Sequence, residues 1–135
     1  IWRDRLNGNF KLFDFVRIDH FRAFDTYWKI PASENNAING EWVVAPGYDF
    51  FDKVYKSIPD ANIIATDLCD LRDEVFVIRD HSNLKSMIVF PFHFDLKIAS
   101  LIDDANIIDY SGTNVNNTMI VWYFAELNSF QKNIY

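Results

Sequence analysis

MIVFPFHF, residues 87–94, is an almost unbroken run of branched and aromatic side chains, and it gives the clearest indication of the fold class. Three further runs have a similar character: residues 13–19 (FDFVRID), 62–66 (NIIAT) and 106–110 (NIIDY). The two clearest of these runs lack a regular polar position, which is typical of strands that are covered on both faces in a parallel sheet. The sequence therefore predicts about four parallel strands.

Helical patterns alternate with these runs, which predicts an α/β fold with right-handed crossovers. The predicted helices are residues 2–12, 49–57, 71–82, 95–103 and 118–132. The first has apolar residues at helical spacing from Trp2, the second has Asp49 as a candidate N-cap, and Asn83 suits the left-handed position after the third. Residues 31–47, which contain Trp42, are predicted to form an ordered functional loop.

Composition limits the classes of function. The 135 residues are 50% hydrophobic, enough for a single domain. A net charge of −6 and an isoelectric point near 4.9 argue against nucleic-acid binding, which needs clustered cations. The single cysteine, Cys69, fits a reducing compartment, and no apolar run is long enough for a membrane span, so we expect a cytoplasmic protein. Because Ile1 opens directly into a helical pattern, we expect further sequence upstream.

Charged and polar groups follow the predicted strands, where parallel α/β folds bind their ligands. Alternation along the first strand places Arg17 and Asp19 on one face, and the arginine favours the ionised carboxylate that a nucleophile needs. An ion pair without catalytic function is an equally good interpretation of these two residues. The second strand is followed by Asp67, which could have a catalytic role or could cap a helix. The third strand contains His93, and a histidine between two phenylalanines more often lies in the core or at its rim than contacts a ligand.

Four blocks of this sequence resemble the 4-α-glucanotransferases, also called amylomaltases or disproportionating enzymes. The blocks are VRIDHFRAFDTYWKIPA (16–32), AINGEWVVAPG (37–47), IIATDL (63–68) and YSGTNVNNT (110–118). The resemblance covers essentially residues 1–135 and implies a single partial domain of a (β/α)₈ TIM barrel, about strands four to seven, without the upstream strands and the last strand. It implies an α-1,4-glucan or maltooligosaccharide substrate and no metal or organic cofactor.

The resemblance also assigns roles to individual positions. Asp19 falls on the catalytic nucleophile, and Arg17, His20 and Trp42 fall on positions that bind or orient the sugar. Asn114 falls on a further sugar-binding position, where the family has a histidine that contacts sugar hydroxyls. Thr66 stands where the family has its acid/base glutamate, and Val115 stands where the family has an aspartate that stabilises the transition state.

These two substitutions predict a weakly active or inactive transferase. A threonine hydroxyl does not replace a positioned carboxylic acid, whose loss typically costs about 10²- to 10⁴-fold in rate. Asp67 would need a bulge to reach the same bond, because alternation points it away from Thr66. Two alternatives stay open: a glucan-binding pseudoenzyme, and a decayed fragment whose unpaired half-barrel edges favour self-association.

Overall fold

The computed structural model describes residues 1–68, 71–92 and 106–132, in two compact units, Ile1–Ser86 and Met87–Tyr135. The helices are α1 (Trp2–Phe10), α2 (Gly47–Ser57), α3 (Asp73–His81), α4 (Met119–Val121) and α5 (Ser129–Lys132). The strands are β1 (Val16–Ile18), β2 (Thr26–Lys29), β3 (Glu41–Val44), β4 (Ile63–Ala65), β5 (Lys85–Val89) and β6 (Ile107–Tyr110). Across these described ranges, no helix is both long enough and apolar enough to cross a membrane.

A parallel sheet organises the first unit. β1 pairs with β4 in parallel, with Ile18 opposite Ala65, and β4 pairs in parallel with the start of β5, with Ala65 opposite Ser86. All three residues of β4 are buried, as expected for a strand covered on both faces. In the second unit, β6 is the sheet neighbour of β5. The predicted α/β fold with four sheet strands and intervening helices is confirmed.

Helices cover this sheet and form its core. Phe51 and Val54 of α2 are buried and lie three residues apart, on one face of the helix. Val75 and Ile78 of α3 are buried in the same arrangement. In α1, Leu6 is buried, but Trp2, where the predicted apolar spacing begins, stays 46% exposed. The apolar face of α1 is therefore shorter than the sequence pattern indicated.

Of the predictions for helix ends, the one for the end of α3 is confirmed and the one for the start of α2 is wrong. Asn83 has φ 49°, and its N–H donates to the carbonyl of Asp80 while the N–H of Leu84 donates to the carbonyl of Arg79. This Schellman pattern confirms the predicted left-handed residue. The predicted N-cap is wrong: α2 begins two residues earlier, at Gly47, so Asp49 lies in its first turn. A Cβ at position 47 would clash with the backbone carbonyl of Phe24, which explains the glycine.

Four sequence predictions were wrong in extent. The strand predicted at 13–19 is reduced to Val16–Ile18. Residues 31–47 are not one loop, because residues 41–44 form β3 and pair antiparallel with β2. The strand predicted at 87–94 ends at Val89 and continues as a 3₁₀ turn, Phe90–Phe92, since Pro91 has no N–H for a sheet ladder. The helix predicted at 118–132 is divided into α4, a π turn (Trp122–Glu126) and α5. Cys69, His93 and the helix predicted at 95–103 lie outside the described residues.

Candidate active site

The carboxyl ends of β1 and β4 lie side by side. Ile18 and Ala65 are register partners, and the N–H of Thr66 donates to the carbonyl of Ile18 at 3.1 Å. Asp19 and Thr66 are the next residues of the two strands, so the fold brings both positions to one edge of the sheet. Parallel α/β folds bind their ligands at this edge.

Alternation along β1 sorts its side chains as the sequence predicted. Ile18 is buried, while Arg17, Asp19 and His20 are exposed. Charged groups at the end of this strand therefore avoid the desolvation cost of burial.

The backbone at His20 is strained. Its φ and ψ of 49° and 51° lie in the left-handed region, which costs a residue other than glycine about 1–2 kcal/mol. The turn carries the chain from β1 into a 3₁₀ turn, Phe21–Phe24, and the N–H of Ala23 donates to the carbonyl of His20 at 3.1 Å. Strain of this kind concentrates at functional sites, which fits the placement of His20 beside Asp19.

Thr66 contributes a hydroxyl without a hydrogen-bonding partner. Its Oγ1 is buried and makes no hydrogen bond to any of the described residues. Leaving a buried hydroxyl unpaired costs about 1–3 kcal/mol. Because a hydroxyl is not an effective proton donor near neutral pH, this position holds no carboxylic acid for acid/base chemistry.

Asp67 has a different environment from its neighbour Thr66. Its side chain is 1% exposed, and Oδ2 accepts from Arg79 Nη1 at 2.6 Å and from Ser86 Oγ at 2.8 Å. Asp67 is therefore not a helix cap, since α3 begins after Arg72. It cannot substitute for an acid beside Asp19, because its carboxylate is held inside the protein by these partners.

The partners of Arg79 stabilise its positive charge. Burial by itself lowers the pKa of Arg79, but hydrogen bonds and the negative charges of Asp67 and Asp80 outweigh burial and raise the pKa. The guanidinium stays protonated at all physiological pH values. The pair of Asp67 and Arg79 thus ties the end of β4 to α3.

In the second unit, a turn after β6 carries two of the predicted site residues. Asn116 Oδ1 accepts from the backbone N–H of Thr113 at 3.2 Å and from its Oγ1 at 2.6 Å. These bonds order the turn and leave Asn114 and Val115 exposed, the latter by 81%. An exposed valine supplies no charge to a transition state.

Trp42 belongs to the hairpin of β2 and β3. Trp42 lies opposite Trp28, with ring centroids 5.4 Å apart at an angle of 65°, and the guanidinium of Arg22 lies 5.4 Å from the Trp42 ring centroid. Of these three residues, only Trp42 was predicted as a site residue. Alternation in the segments TYWK and EWVV could have indicated the pair, but its register depends on the tertiary structure.

Comparison with known proteins identifies the family. A sequence model described as 4-alpha-glucanotransferase matches residues 1–135. The chain belongs to the 4-alpha-glucanotransferase family. The resemblance predicted from the sequence is confirmed.

Relatives and a solved structure agree with this family. The 4-alpha-glucanotransferase of Streptococcus pneumoniae is 42% identical over 130 residues, 93% of this chain and 26% of the relative. That of Thermus thermophilus is 38% identical over 128 residues, again 26% of its length. The amylomaltase of Streptococcus agalactiae in complex with acarbose has a TM-score of 0.77 and 29% identity, covering 98% of this chain and 28% of that one. This likeness is consistent with a barrel segment, and the chain spans about a quarter of the curated relatives.

Proposed function

We propose that this chain is a segment of a 4-α-glucanotransferase and that Asp19 is its nucleophile, with α-1,4-glucan or maltooligosaccharide as substrate. Arg17 and His20 would bind the reacting sugar beside it. The observation that carries this proposal is the adjacency of positions 19 and 66 at the carboxyl edge of β1 and β4, fixed by the bond from Thr66 N–H to the Ile18 carbonyl. Family membership and the substrate class in the relatives' names support it.

The chemistry is a double displacement. The Asp19 carboxylate attacks the anomeric carbon, the glycosidic C–O bond breaks, and an acid protonates the departing oxygen; an acceptor hydroxyl then reverses the sequence. A retaining enzyme of this type needs two carboxyl groups about 5 to 5.5 Å apart. In this chain the second position is Thr66, so the leaving group departs without a proton.

We therefore propose that transfer is impaired or absent. The missing acid accounts for about 10²- to 10⁴-fold in rate. Val115, at the position of the stabilising aspartate, removes a further electrostatic contribution of about 3 kcal/mol, the size measured for single stabilising groups in enzymes.

A second candidate function is glucan binding without turnover. The observation that favours it is the exposed Trp42, 58% accessible and with the Arg22 guanidinium 5.4 Å from its ring centroid, because this aromatic surface does not depend on the two substituted positions. A non-catalytic glucan-binding protein would keep such a surface after its chemistry was lost.

The test is maltotriose disproportionation by the full-length protein that carries this chain. We expect little or no glucose from the unmodified protein, and a rise of at least about 10²-fold when Thr66→Glu and Val115→Asp are combined. Adding Asp19→Asn to that double variant should abolish the gain. Efficient transfer by the unmodified protein, or a gain that persists without Asp19, would contradict the proposed roles.

A further inference from the structure

We propose that Asn39 is a site of spontaneous covalent modification, at which deamidation of the Asn39–Gly40 dipeptide loosens the hairpin of β2 and β3. The reaction needs no enzyme and no co-reactant other than water. It is independent of the proposed transferase chemistry, because no residue of the loop between these two strands takes part in that chemistry.

The sequence contains two Asn–Gly dipeptides, Asn7–Gly8 and Asn39–Gly40. An asparagine is most labile when glycine follows it, because a main-chain nitrogen without a neighbouring Cβ reaches the carboxamide of the preceding side chain easily. Both asparagines are exposed to solvent. The two sites therefore differ in backbone structure and not in access to water.

Backbone structure protects the first site but not the second. Asn7 and Gly8 lie inside α1, where the N–H of Gly8 is held by the carbonyl four residues earlier and the dihedral angles are fixed by the helix. Asn39 lies in a bend of the loop, and within the described parts of the chain the N–H of Gly40 donates no hydrogen bond. The Gly40 nitrogen can therefore approach the Asn39 side chain without breaking regular structure.

The chemistry is an intramolecular substitution. The Gly40 nitrogen loses its proton to hydroxide and attacks Cγ of Asn39, so that a new C–N bond closes a succinimide ring. The bond from Cγ to Nδ2 breaks, and this nitrogen takes a proton from water and leaves as ammonia. Water then opens the ring: attack at Cγ gives aspartate, and attack at the main-chain carbonyl gives isoaspartate, in which the main chain runs through Cβ and Cγ. Nothing is oxidised or reduced.

The packing of Trp28 retains the glycine that makes the site labile. A Cβ at position 40 would lie 2.5 Å from two atoms of the Trp28 indole and 2.7 Å from the carbonyl oxygen of Lys29. Both distances are shorter than van der Waals contact, so the position requires glycine. The same packing makes the product disruptive, because isoaspartate inserts one extra main-chain atom before Gly40 and displaces it from this fitted position.

Deamidation also changes the charge within the loop. In the unmodified chain, Asn39 Nδ2 donates to Glu34 Oε2 at 3.0 Å. Either product replaces this donor with a carboxylate, so a hydrogen bond becomes a repulsion between two negative groups. The same loop carries the carbonyl of Ala37, which accepts from Trp28 Nε1 at 2.9 Å. We expect the modification to weaken this anchor of Trp28 and to increase opening of the hairpin.

The experiment is peptide mapping by mass spectrometry of the full chain after incubation at neutral and mildly alkaline pH, folded and in urea. In the folded chain we expect position 39 to deamidate at least about tenfold faster than position 7, because α1 protects the latter. The rate should rise with pH, since the attacking nitrogen must lose its proton. In urea, where α1 is unfolded, the two rates should agree within about threefold.

Asn39→Gln removes the labile site, and Asn7→Gln is its matched control in the helix. Circular dichroism should show unchanged folding for both variants. Asn39→Gln should remove the modification from the loop, whereas Asn7→Gln should leave its rate unchanged. After incubation, hydrogen–deuterium exchange in residues 26–44 should be at least about twofold faster in the unsubstituted chain and unchanged in Asn39→Gln.

Two results would overturn the proposal. The first is a folded chain in which position 39 is protected as strongly as position 7, relative to the rates in urea. The second is complete deamidation of position 39 with unchanged hydrogen exchange in residues 26–44. Selective modification at position 39 that accelerates with pH and loosens the hairpin supports the proposal, whatever the outcome of the transfer assay.

Discussion

Replacing Asp67 with asparagine tests the buried ion pair behind β4. The substitution keeps the shape of the side chain and removes a carboxylate that is 1% exposed and 2.6 Å from Arg79 Nη1. Removing one partner of a buried pair costs about 3–5 kcal/mol. Because Arg79 is 20% exposed and keeps Asp80 as a second partner at 2.7 Å, we expect the lower value, about 3 kcal/mol.

The assay is urea unfolding of the full chain, followed by circular dichroism. With a urea dependence of about 1.5 kcal/mol per molar, a loss of about 3 kcal/mol lowers the midpoint by about 2 M. Asp80→Asn is the matched control, since it removes the other carboxylate of the same arginine, 65% exposed, and should cost less than about 1 kcal/mol.

A double-mutant cycle with Arg79→Met separates the pair from its surroundings. We expect a coupling energy of about 2 kcal/mol between positions 67 and 79, within the range for residues in one network. A coupling below about 0.5 kcal/mol, or equal effects of Asp67→Asn and Asp80→Asn, would refute the reasoning that burial makes this pair important.

Three further predictions concern packing, helix termination and pH. Phe51→Ala should cost about 3–5 kcal/mol in thermal or urea unfolding, because the side chain is fully buried; a loss below about 1 kcal/mol would contradict this. Asn83→Ala should cost about 1 kcal/mol and Asn83→Gly should cost nothing, since only the former is strained at φ 49°; equal midpoints would argue against strain. Burial raises the pKa of Tyr55 above 10.0, so the folded chain holds this proton longer than the unfolded chain, and stability falls as the pH rises above about 10. Tyr55→Phe should flatten that fall in a pH series of unfolding midpoints, and an unchanged slope would show that Tyr55 does not cause it.

The elements with strong local signals were predicted well. Helical periodicity located α2 and α3, Asn83 marked the end of α3, and short apolar runs located β4 and β6 to within a few residues. β3 was missed, because EWVV follows a stretch rich in polar and turn residues and is recognised as a strand only through its pairing with β2. The strand predicted at 87–94 extends too far along the chain, because β5 ends at Val89, just before Pro91, although the apolar run continues.

From the sequence alone, the resemblance to the family's motifs predicted Asp19, Thr66 and Val115 as the informative positions, because such motifs are local and are compared residue by residue. Only the tertiary structure placed Asp19 beside Thr66, since their adjacency comes from the register of two strands separated by more than forty residues. Only the tertiary structure paired Asp67 with Arg79, and Trp42 with Trp28 and Arg22. Residue types and local periodicity are encoded along the chain, whereas contacts between distant segments depend on how strands pair and helices pack.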